Sequence, residues 1–95
     1  MNTEKKKYKI DIFDEEYVLI SDEAEPLINN AALFVDKTMR EIQKSGIRDT
    51  KKIAVLTALR CASLLEQHNQ QKKIEREKER ELVARIDQEL ISSLL

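Results

Sequence analysis

The sequence predicts an α+β fold: a small N-terminal β-hairpin and helix, followed by one long C-terminal helix that forms a coiled-coil-like stalk in an oligomer. Three observations support this fold class. Apolar residues first alternate with polar ones, as in half-buried strands. They then recur at helical spacing up to Gly46, and beyond Gly46 neither Gly nor Pro interrupts the chain. We therefore divide the sequence into a head (1–50), a base (51–66) and a stalk (67–95).

The first element is predicted to be a β-hairpin. Tyr8, Ile10 and Ile12 alternate with charged residues, and the β-favouring run YVLI follows at 17–20. No Gly supplies the positive φ that tight primed turns favour, but Asp14 tolerates that geometry better than most residues. Because two strands alone are marginal in water, we expect the hairpin to pack on helices or to extend a sheet across a subunit boundary.

The segment after the hairpin predicts a helix that ends at Gly46, which supplies the left-handed conformation that often follows a helix C-cap. Ser21 or Asp22 is the candidate N-cap, with Glu25 placed as in a capping box. Pro26 leaves the exact start open over several residues, because Pro is easiest at the first helical position. The apolar face of this helix is predicted to consist of Leu27, Ala31, Phe34, Val35, Thr38 and Ile42, flanked by Ile28 and Met39.

The second helix, with Asp49 or Thr50 as its cap, carries an apolar block over residues 53–65. Only Thr57, Arg60 and Ser63 interrupt this block, and they form one narrow stripe. A helix that is apolar nearly all round is buried on most sides, and the hairpin and first helix can cover only one side. We expect a second copy of this helix to cover the rest. The predicted dimer interface consists of Ile53, Val55, Leu56, Leu59, Ala62 and Leu65.

The remainder of the second helix is polar in its middle and apolar again towards its end. In the polar stretch 66–81 we expect support from intrahelical charge pairs, namely Lys72–Glu75, Lys73–Glu77, Glu77–Arg80 and Glu81–Arg85. The apolar block 82–95 resumes heptad-like spacing, but it is too short to hold a coiled coil strongly by itself. It is predicted to join one dimer to another in an antiparallel arrangement, through Val83, Ile86, Leu90 and Leu94.

Composition argues against an enzyme with a deep pocket. Charged residues make up 37% of the chain and aromatic residues 4%, a balance typical of long helices and coiled coils. With Cys61 and His68 alone of their types, no zinc site can be completed within one chain, and the lone Gly excludes a glycine-rich phosphate loop. We therefore expect no catalytic residue, no cofactor, no metal and no small-molecule substrate.

The sequence also lacks features of membrane and nucleic-acid proteins. It has no secretory segment and no apolar run of about 18 residues, and a single Cys fits a reducing compartment, so we expect a soluble cytoplasmic protein. The net charge is −1. The helix pair around Gly46 could mimic a DNA-binding helix-turn-helix, but its second helix is too apolar in its first turns to lie in a groove. We therefore expect neither a membrane nor a nucleic acid as partner.

Charge is distributed unevenly along the head. The segment 11–25 is acidic and has no basic residue, whereas basic residues outnumber acidic ones by seven to three between 36 and 60. Two interpretations stay open at this point. These charges are either ordinary solvated faces or a basic surface that meets an acidic partner.

Three stretches resemble the ZapA family of bacterial cell-division proteins, which associate with FtsZ, the tubulin-like GTPase of the division ring. The stretches are IDIFDEEY at 10–17, AALFVDKTMREI at 31–42 and DTKKIAVLTAL at 49–59. The last one, followed by a long polar helix, is the most specific of the three. The resemblance covers the whole chain, and it implies dimers formed through heads and bases that pair antiparallel into tetramers.

The resemblance also implies a function: a non-enzymatic factor that binds and bundles FtsZ filaments at the mid-cell division ring. The family commonly has Gly and a basic residue in the hairpin turn, where this chain has Asp14 and Glu15, and often Asn where this chain has Arg60. The basic residues that remain as candidates for FtsZ binding are Lys37, Arg40, Lys44, Arg48, Lys51 and Lys52. The alternative function is a coiled-coil oligomerisation module for another cytoplasmic scaffold.

Overall fold

The computed structural model describes residues 4–94, and these form a two-stranded antiparallel hairpin and two helices. The elements are β1 (Lys6–Ile12), β2 (Glu15–Ser21), α1 (Glu25–Lys44) and α2 (Thr50–Leu94). The predicted α+β fold, with a hairpin, a helix and one long C-terminal helix, is confirmed. Leu95, the last residue of the predicted apolar block, lies outside the described residues.

The chain divides into two compact units. The N-terminal unit ends at Leu59 and holds the hairpin, α1 and the first turns of α2. The C-terminal unit begins at Arg60 and consists of the rest of α2. The division into head, base and stalk at residues 50 and 66 concerns roles in an assembly, and it stays a prediction.

A two-residue turn of Phe13 and Asp14 joins the strands. Ile12 pairs with Glu15 across the ladder, and φ is +52° at Phe13 and +66° at Asp14. Both values lie in the left-handed region, as in the primed turns that match the twist of a hairpin. Asp14 therefore occupies the turn, as expected, whereas Glu15 begins β2. Left-handed geometry is unfavourable for Phe, by about 1–2 kcal/mol, so the turn needs support from elsewhere.

That support comes from the carboxylate of Asp36 on α1. The backbone N–H of Phe13 donates a hydrogen bond of 2.8 Å to one oxygen, Oδ1. The Nε of Arg40 donates to the other oxygen, Oδ2, at 3.0 Å. Arg40 also donates from Nη2 to Oδ1 of Asp14 at 2.9 Å, and its guanidinium carbon lies 5.8 Å from the centre of the Phe13 ring. Helix α1 thus holds both residues of the turn, and we call these four residues the turn anchor.

One face of the hairpin packs towards α1, which contacts β1. The cross-strand pairs on this face include Tyr8 with Leu19 and Ile10 with Tyr17. Tyr8, Ile10 and Leu19 are half-buried, and the Tyr8 hydroxyl donates to the carbonyl oxygen of Glu23 at 2.8 Å. The predicted alternation in β1 is therefore confirmed, and α1 provides the packing that a lone hairpin requires.

The predicted N-cap of α1 is wrong. Ala24 holds the cap position and makes no side-chain capping bond, and its carbonyl accepts from the N–H groups of Leu27 and Ile28. Ser21 instead accepts a hydrogen bond from the N–H of Glu23, outside the helix. The physical reason is Pro26, which lies in the first turn. It lacks an N–H and has a fixed φ, so it starts the helix with fewer donors to satisfy.

The buried face of α1 also differs in part from the predicted one. Ala32, Thr38 and Met39 are buried, and the Thr38 hydroxyl donates to the carbonyl of Phe34 at 2.8 Å. Of the predicted face, Thr38 is buried, Val35 and Ile42 are half-buried, and Leu27, Ala31 and Phe34 are exposed. Helix α1 carries more apolar residues than one hairpin can cover, so spacing alone does not identify the covered side.

Local chemistry determines the connection between the helices. Ser45 is the C-cap of α1, and Gly46 follows with φ +106°, as predicted for a residue beyond a helix end. The Asp49 carboxylate accepts from the N–H of Lys51 at 3.0 Å, and its carbonyl accepts from the N–H of Ile53 at 2.9 Å. Asp49 is thus the N-cap of α2. It is one of the two residues, Asp49 and Thr50, that the sequence predicts for this cap.

The first turns of α2 contribute Ile53 and Thr57 to the interior of the N-terminal unit. Ile53 has no exposed surface. The Thr57 hydroxyl donates a hydrogen bond of 2.8 Å to the backbone carbonyl of Ile53. Thr57 therefore does not share one exposed stripe with Arg60 and Ser63, which are both exposed. A Thr that bonds to the carbonyl four residues earlier has no unmet donor, so it tolerates burial.

We expect Asp36→Ala to lower the melting temperature, because the turn loses its acceptor for the Phe13 N–H and Arg40 loses one of its two carboxylates. The matched control is Lys37→Ala, at the exposed neighbouring position, which should leave the melting temperature unchanged. Thermal unfolding followed by circular dichroism measures both. Equal melting temperatures for the two variants would show that the turn does not depend on Asp36.

The same carboxylate predicts a pH dependence. The hydrogen bonds from Arg40 and from the Phe13 N–H hold the pKa of Asp36 below its ordinary value of 3.8. Stabilisation from a lowered carboxyl pKa is complete above the ordinary pKa and is lost as the pH falls through the lowered value. Wild type should therefore exceed Asp36→Asn in melting temperature at neutral pH, and the difference should shrink below about pH 4. A constant difference across that range contradicts the assignment.

We expect Gly46→Ala to lower the free energy of unfolding by about 1–2 kcal/mol, because Ala is strained at positive φ. A Cβ on Gly46 meets no atom within 4 Å, so steric contact adds nothing to this effect. Gly46→Asn should lose less stability, since Asn tolerates left-handed geometry. Urea unfolding of the three proteins tests the order Gly, Asn, Ala, and an Ala variant as stable as wild type would refute it.

Candidate interaction surfaces

Within residues 4–94 the buried apolar side chains are Ala32, Met39 and Ile53. Most large apolar side chains remain exposed, in the hairpin, on α1 and along α2. In the hairpin and α1 the exposed set is Tyr17, Val18, Ile20, Leu27, Leu33 and Phe34. In α2 it is Val55, Leu59, Leu64, Leu65, Ile74, Leu82, Val83, Ile86, Leu90, Ile91 and Leu94. Apolar surface on this scale marks sites of association.

The predicted dimer-interface residues differ in what they present. Ile53 is fully buried within its own chain, so its side chain has no surface left for a partner. Leu56 is half-buried and Ala62 is exposed. The remaining three are more than half exposed, at 54% for Val55, 62% for Leu59 and 61% for Leu65. Of the six predicted interface residues, all but Ile53 therefore present surface to a partner.

The predicted stalk-interface residues Val83, Ile86, Leu90 and Leu94 are all exposed. From residue 62 to residue 94 every position of α2 is exposed. The expected intrahelical charge pairs of the polar stretch are not formed, since no charged side chain beyond Arg60 in the described part of α2 makes an ion pair. Solvent competes effectively with such exposed pairs, which are weak even when they form.

Five of the six candidate basic residues lie on the surface of the N-terminal unit. Lys37 and Lys44 are exposed on α1, two helical turns apart. Arg48 is exposed in the loop, and Lys51 and Lys52 are exposed in the first turn of α2. These five side chains provide positive charge that an acidic partner could bind.

Arg40, the sixth candidate, has a different environment. It is half-buried and is held by Asp36 and Asp14, at 3.0 Å and 2.9 Å. The hydrogen bond from Arg40 to Asp36, followed in importance by the one to Asp14, raises the pKa of Arg40 above its ordinary value. Because two carboxylates face one guanidinium, the cluster has no net positive charge. Arg40 belongs to the turn anchor, and sequence reasoning missed this role. The four-residue spacing of Asp36 and Arg40 was a visible signal, but their partner Phe13 is distant in sequence.

The single His and the single Cys of the chain both lie on α2. No group of three or more His, Cys, Asp or Glu side chains within 4–94 is arranged to hold a metal ion. His68 is exposed and Cys61 is half-buried. In the part of the chain that the structure describes, no helix combines the length and hydropathy needed to span a bilayer.

Solved structures include two similar chains. One is a ZapA mutant dimer from Geobacillus stearothermophilus, with a TM-score of 0.65 and 30% identity, where the match covers 79% of this chain and 88% of that one. The other is described as an unknown conserved bacterial protein from Pseudomonas aeruginosa PAO1. Its TM-score is 0.58 at 32% identity, and the match covers 86% of this chain and 97% of that one.

Sequence relatives point the same way. The chain is 37% identical over 57 residues to proteins named Cell division protein ZapA from Bacillus licheniformis and from a Geobacillus species. Each match covers 59% of this chain, and it spans 67% and 66% of those two relatives. The family model described as Cell division protein ZapA matches residues 8–91. Since this match takes in nearly the whole chain and agrees with the resemblance of the three sequence stretches, the chain belongs to the ZapA family of cell division proteins.

Proposed function

We propose that the protein is a non-enzymatic division factor that binds FtsZ and cross-links or bundles its filaments as a dimer or tetramer. The observation that carries this proposal is the apolar surface that a single chain leaves exposed at both ends of α2, around Leu59 and around Ile86. A family member with two such surfaces can self-associate twice. In this proposal it acts in the cytoplasm, at the mid-cell division ring.

The first association joins two chains through the base. Val55, Leu59 and Leu65 lie more than half exposed on the apolar part of α2. Burying one such side chain contributes about 1.5–3 kcal/mol, so covering several of them from both chains is comparable to the stability of a small domain. The ZapA mutant dimer among the similar structures supports self-association of this fold.

The second association joins dimers through the block 82–95. Here Val83, Ile86 and Leu90 recur at spacings of three and four residues on one face of the helix. A short apolar block with exposed polar neighbours forms a weaker contact than the base. The tetramer should therefore separate into dimers before the dimers separate into monomers.

FtsZ binds in this proposal through the exposed basic residues of the head and the start of α2, namely Lys37, Lys44, Arg48, Lys51 and Lys52. One assembly then carries two or more copies of this surface. Once one copy is bound, the next meets its filament at a high effective concentration, so weak individual contacts suffice for bundling. Arg40 supports this surface through the turn anchor and carries no free charge of its own.

The alternative is an oligomerisation module for another cytoplasmic scaffold. It shares both associations and differs only in the partner. The exposed basic surface fits any acidic protein, so charge alone does not distinguish FtsZ from another scaffold. Membership of the ZapA family favours FtsZ.

Binding to FtsZ is tested by reversing charges that the fold does not use. Lys37→Glu combined with Lys44→Glu should weaken binding about tenfold and so reduce the increase in FtsZ pelleting that wild type produces. The matched control is Lys73→Glu combined with Lys78→Glu, which changes the net charge equally on the exposed middle of α2. Both variants should keep the oligomer size of wild type.

Three outcomes of this sedimentation experiment are decisive. Reduced pelleting in the first variant alone supports FtsZ binding through the head. Equal pelleting by both variants refutes this binding surface. No effect of wild type on FtsZ pelleting or light scattering, at several-fold excess, refutes FtsZ binding and favours the alternative.

The two associations are separated by single substitutions. Ile86→Lys or Leu90→Lys should convert tetramers to dimers with unchanged helix content, because the base is untouched. Leu59→Lys should disrupt the dimer itself. Gln88→Lys, at an exposed position between the two stalk residues, is the control for added charge. Light scattering coupled to size exclusion measures the masses, and tetramers that survive Ile86→Lys and Leu90→Lys contradict the assignment of the second association.

A further inference from the structure

The free edge of β1 is a row of backbone groups that faces away from β2. The two-residue turn makes Ile12 and Glu15 a hydrogen-bonded pair, and such pairs occur at every second position of an antiparallel ladder. The N–H and C=O groups of Lys7, Lys9 and Asp11 therefore point outward. Among the described residues, no backbone hydrogen bond joins this edge to another element.

One N–H of the same row already binds an acceptor. Phe13 follows Asp11 by two residues, so its N–H faces outward as well, and the carboxylate of Asp36 accepts from it at 2.8 Å. Helix α1 thus closes the edge at the turn, whereas the outward groups before the turn stay open. An open edge of this kind can pair with an extended segment of another protein.

A groove runs along the open part of the edge, between β1 and α1. It has a volume of about 400 Å³ and is lined by Lys9, Ile10, Asp11, Asn29, Ala32 and Leu33. Ala32 is buried, whereas the Leu33 side chain is 68% exposed, so an apolar side chain of an added strand has a contact in Leu33. Within residues 4–94 α1 contacts β1 rather than β2, so this groove distinguishes the edge of β1 from that of β2.

Charge along the edge favours an acidic occupant. Lys7 and Lys9 are exposed, and neither forms an ion pair with another described residue. In an added strand the residue opposite each lysine lies on the same face, with about 4.5–5.5 Å between the Cβ atoms. The alternate residues of that strand face α1, as Ile10 does. The groove therefore fits an extended segment in which acidic residues alternate with apolar ones.

We propose that an extended segment of FtsZ adds to β1 as a third strand, with acidic residues opposite Lys7 and Lys9 and a neutral or basic residue opposite Asp11. This inference rests on the FtsZ binding proposed above and specifies its form. The groove is continuous with the proposed binding surface, since the exposed Lys37 lies one helical turn after Leu33. The added strand thus has positive charge beside it on both β1 and α1.

A proline substitution at the edge tests strand addition in the full-length protein. Lys9→Pro removes an outward N–H without removing a hydrogen bond between β1 and β2. Lys9→Ala keeps that N–H and removes the side-chain charge. We expect FtsZ binding to weaken about tenfold for Lys9→Pro and about threefold for Lys9→Ala. Sedimentation of FtsZ over a concentration series of each protein measures the binding.

The matched control is Val18→Pro, on the edge of β2. Val18 pairs with Lys9 across the ladder, so its N–H points outward from the opposite edge. This variant places the same residue in the hairpin and should bind FtsZ as wild type does. Circular dichroism checks that all three variants keep the helix content of wild type.

Hydrogen exchange of the wild-type protein, resolved to single amides, is a second measurement that needs no substitution. Bound FtsZ should slow the exchange of the Lys7, Lys9 and Asp11 amides at least about tenfold, because each is then bonded or covered. The outward amides of Glu16 and Val18, on the edge of β2, should keep their rates. If a proline variant fails to fold, this measurement decides alone.

The outcomes separate strand addition from FtsZ binding itself. A larger loss of binding in Lys9→Pro than in Lys9→Ala, together with slowed β1 amides, supports strand addition. Equal losses in Lys9→Pro and Lys9→Ala, an equal loss in Val18→Pro, or unchanged β1 amides refute strand addition while FtsZ binding stands. Absence of any binding between wild type and FtsZ refutes the proposed function, and strand addition with it.

Discussion

Apolar surface that one chain cannot cover is the constraint on which this structure depends. Within residues 4–94, the hairpin and α1 enclose a small interior around Ala32, Met39 and Ile53, and most other large apolar side chains remain exposed. Burying one such side chain contributes about 1.5–3 kcal/mol, so the free energy available from covering the exposed set is comparable to the whole stability of a typical small domain. The function proposed here follows from the proposal that further copies of the chain cover that surface.

The turn anchor stabilises the hairpin turn and at the same time pairs the charge of Arg40. A hairpin turn without Gly requires left-handed geometry at Phe13 and Asp14, and the Asp36 carboxylate supports it from α1 while Arg40 links it to Asp14. This use of Arg40 removes one positive charge from the proposed partner-binding surface. The exposed lysines of α1 and α2, which have no comparable role in the fold, carry the proposed contact instead.

Sequence reasoning succeeded where structure is determined locally. The alternation in β1, Gly46 after α1 and the Asp49 cap each depend on a few neighbouring residues, and all three were predicted. It failed at the start of α1, where Pro26 places the cap at Ala24 in place of a polar residue. It also failed where the outcome depends on packing between elements, with Phe34 outside the buried face and Thr57 inside the interior. The interfaces between chains stay predictions, because they depend on surfaces of a second copy that no single chain contains.

The central claim is that the exposed apolar surface of α2 is covered by further copies of the chain. The most direct test is the mass in solution, measured by sedimentation over a wide range of concentrations. The account predicts dimers that convert to tetramers as the concentration rises, with no folded monomer at any concentration where the protein is helical. A stable, fully helical monomer across the whole range would contradict it.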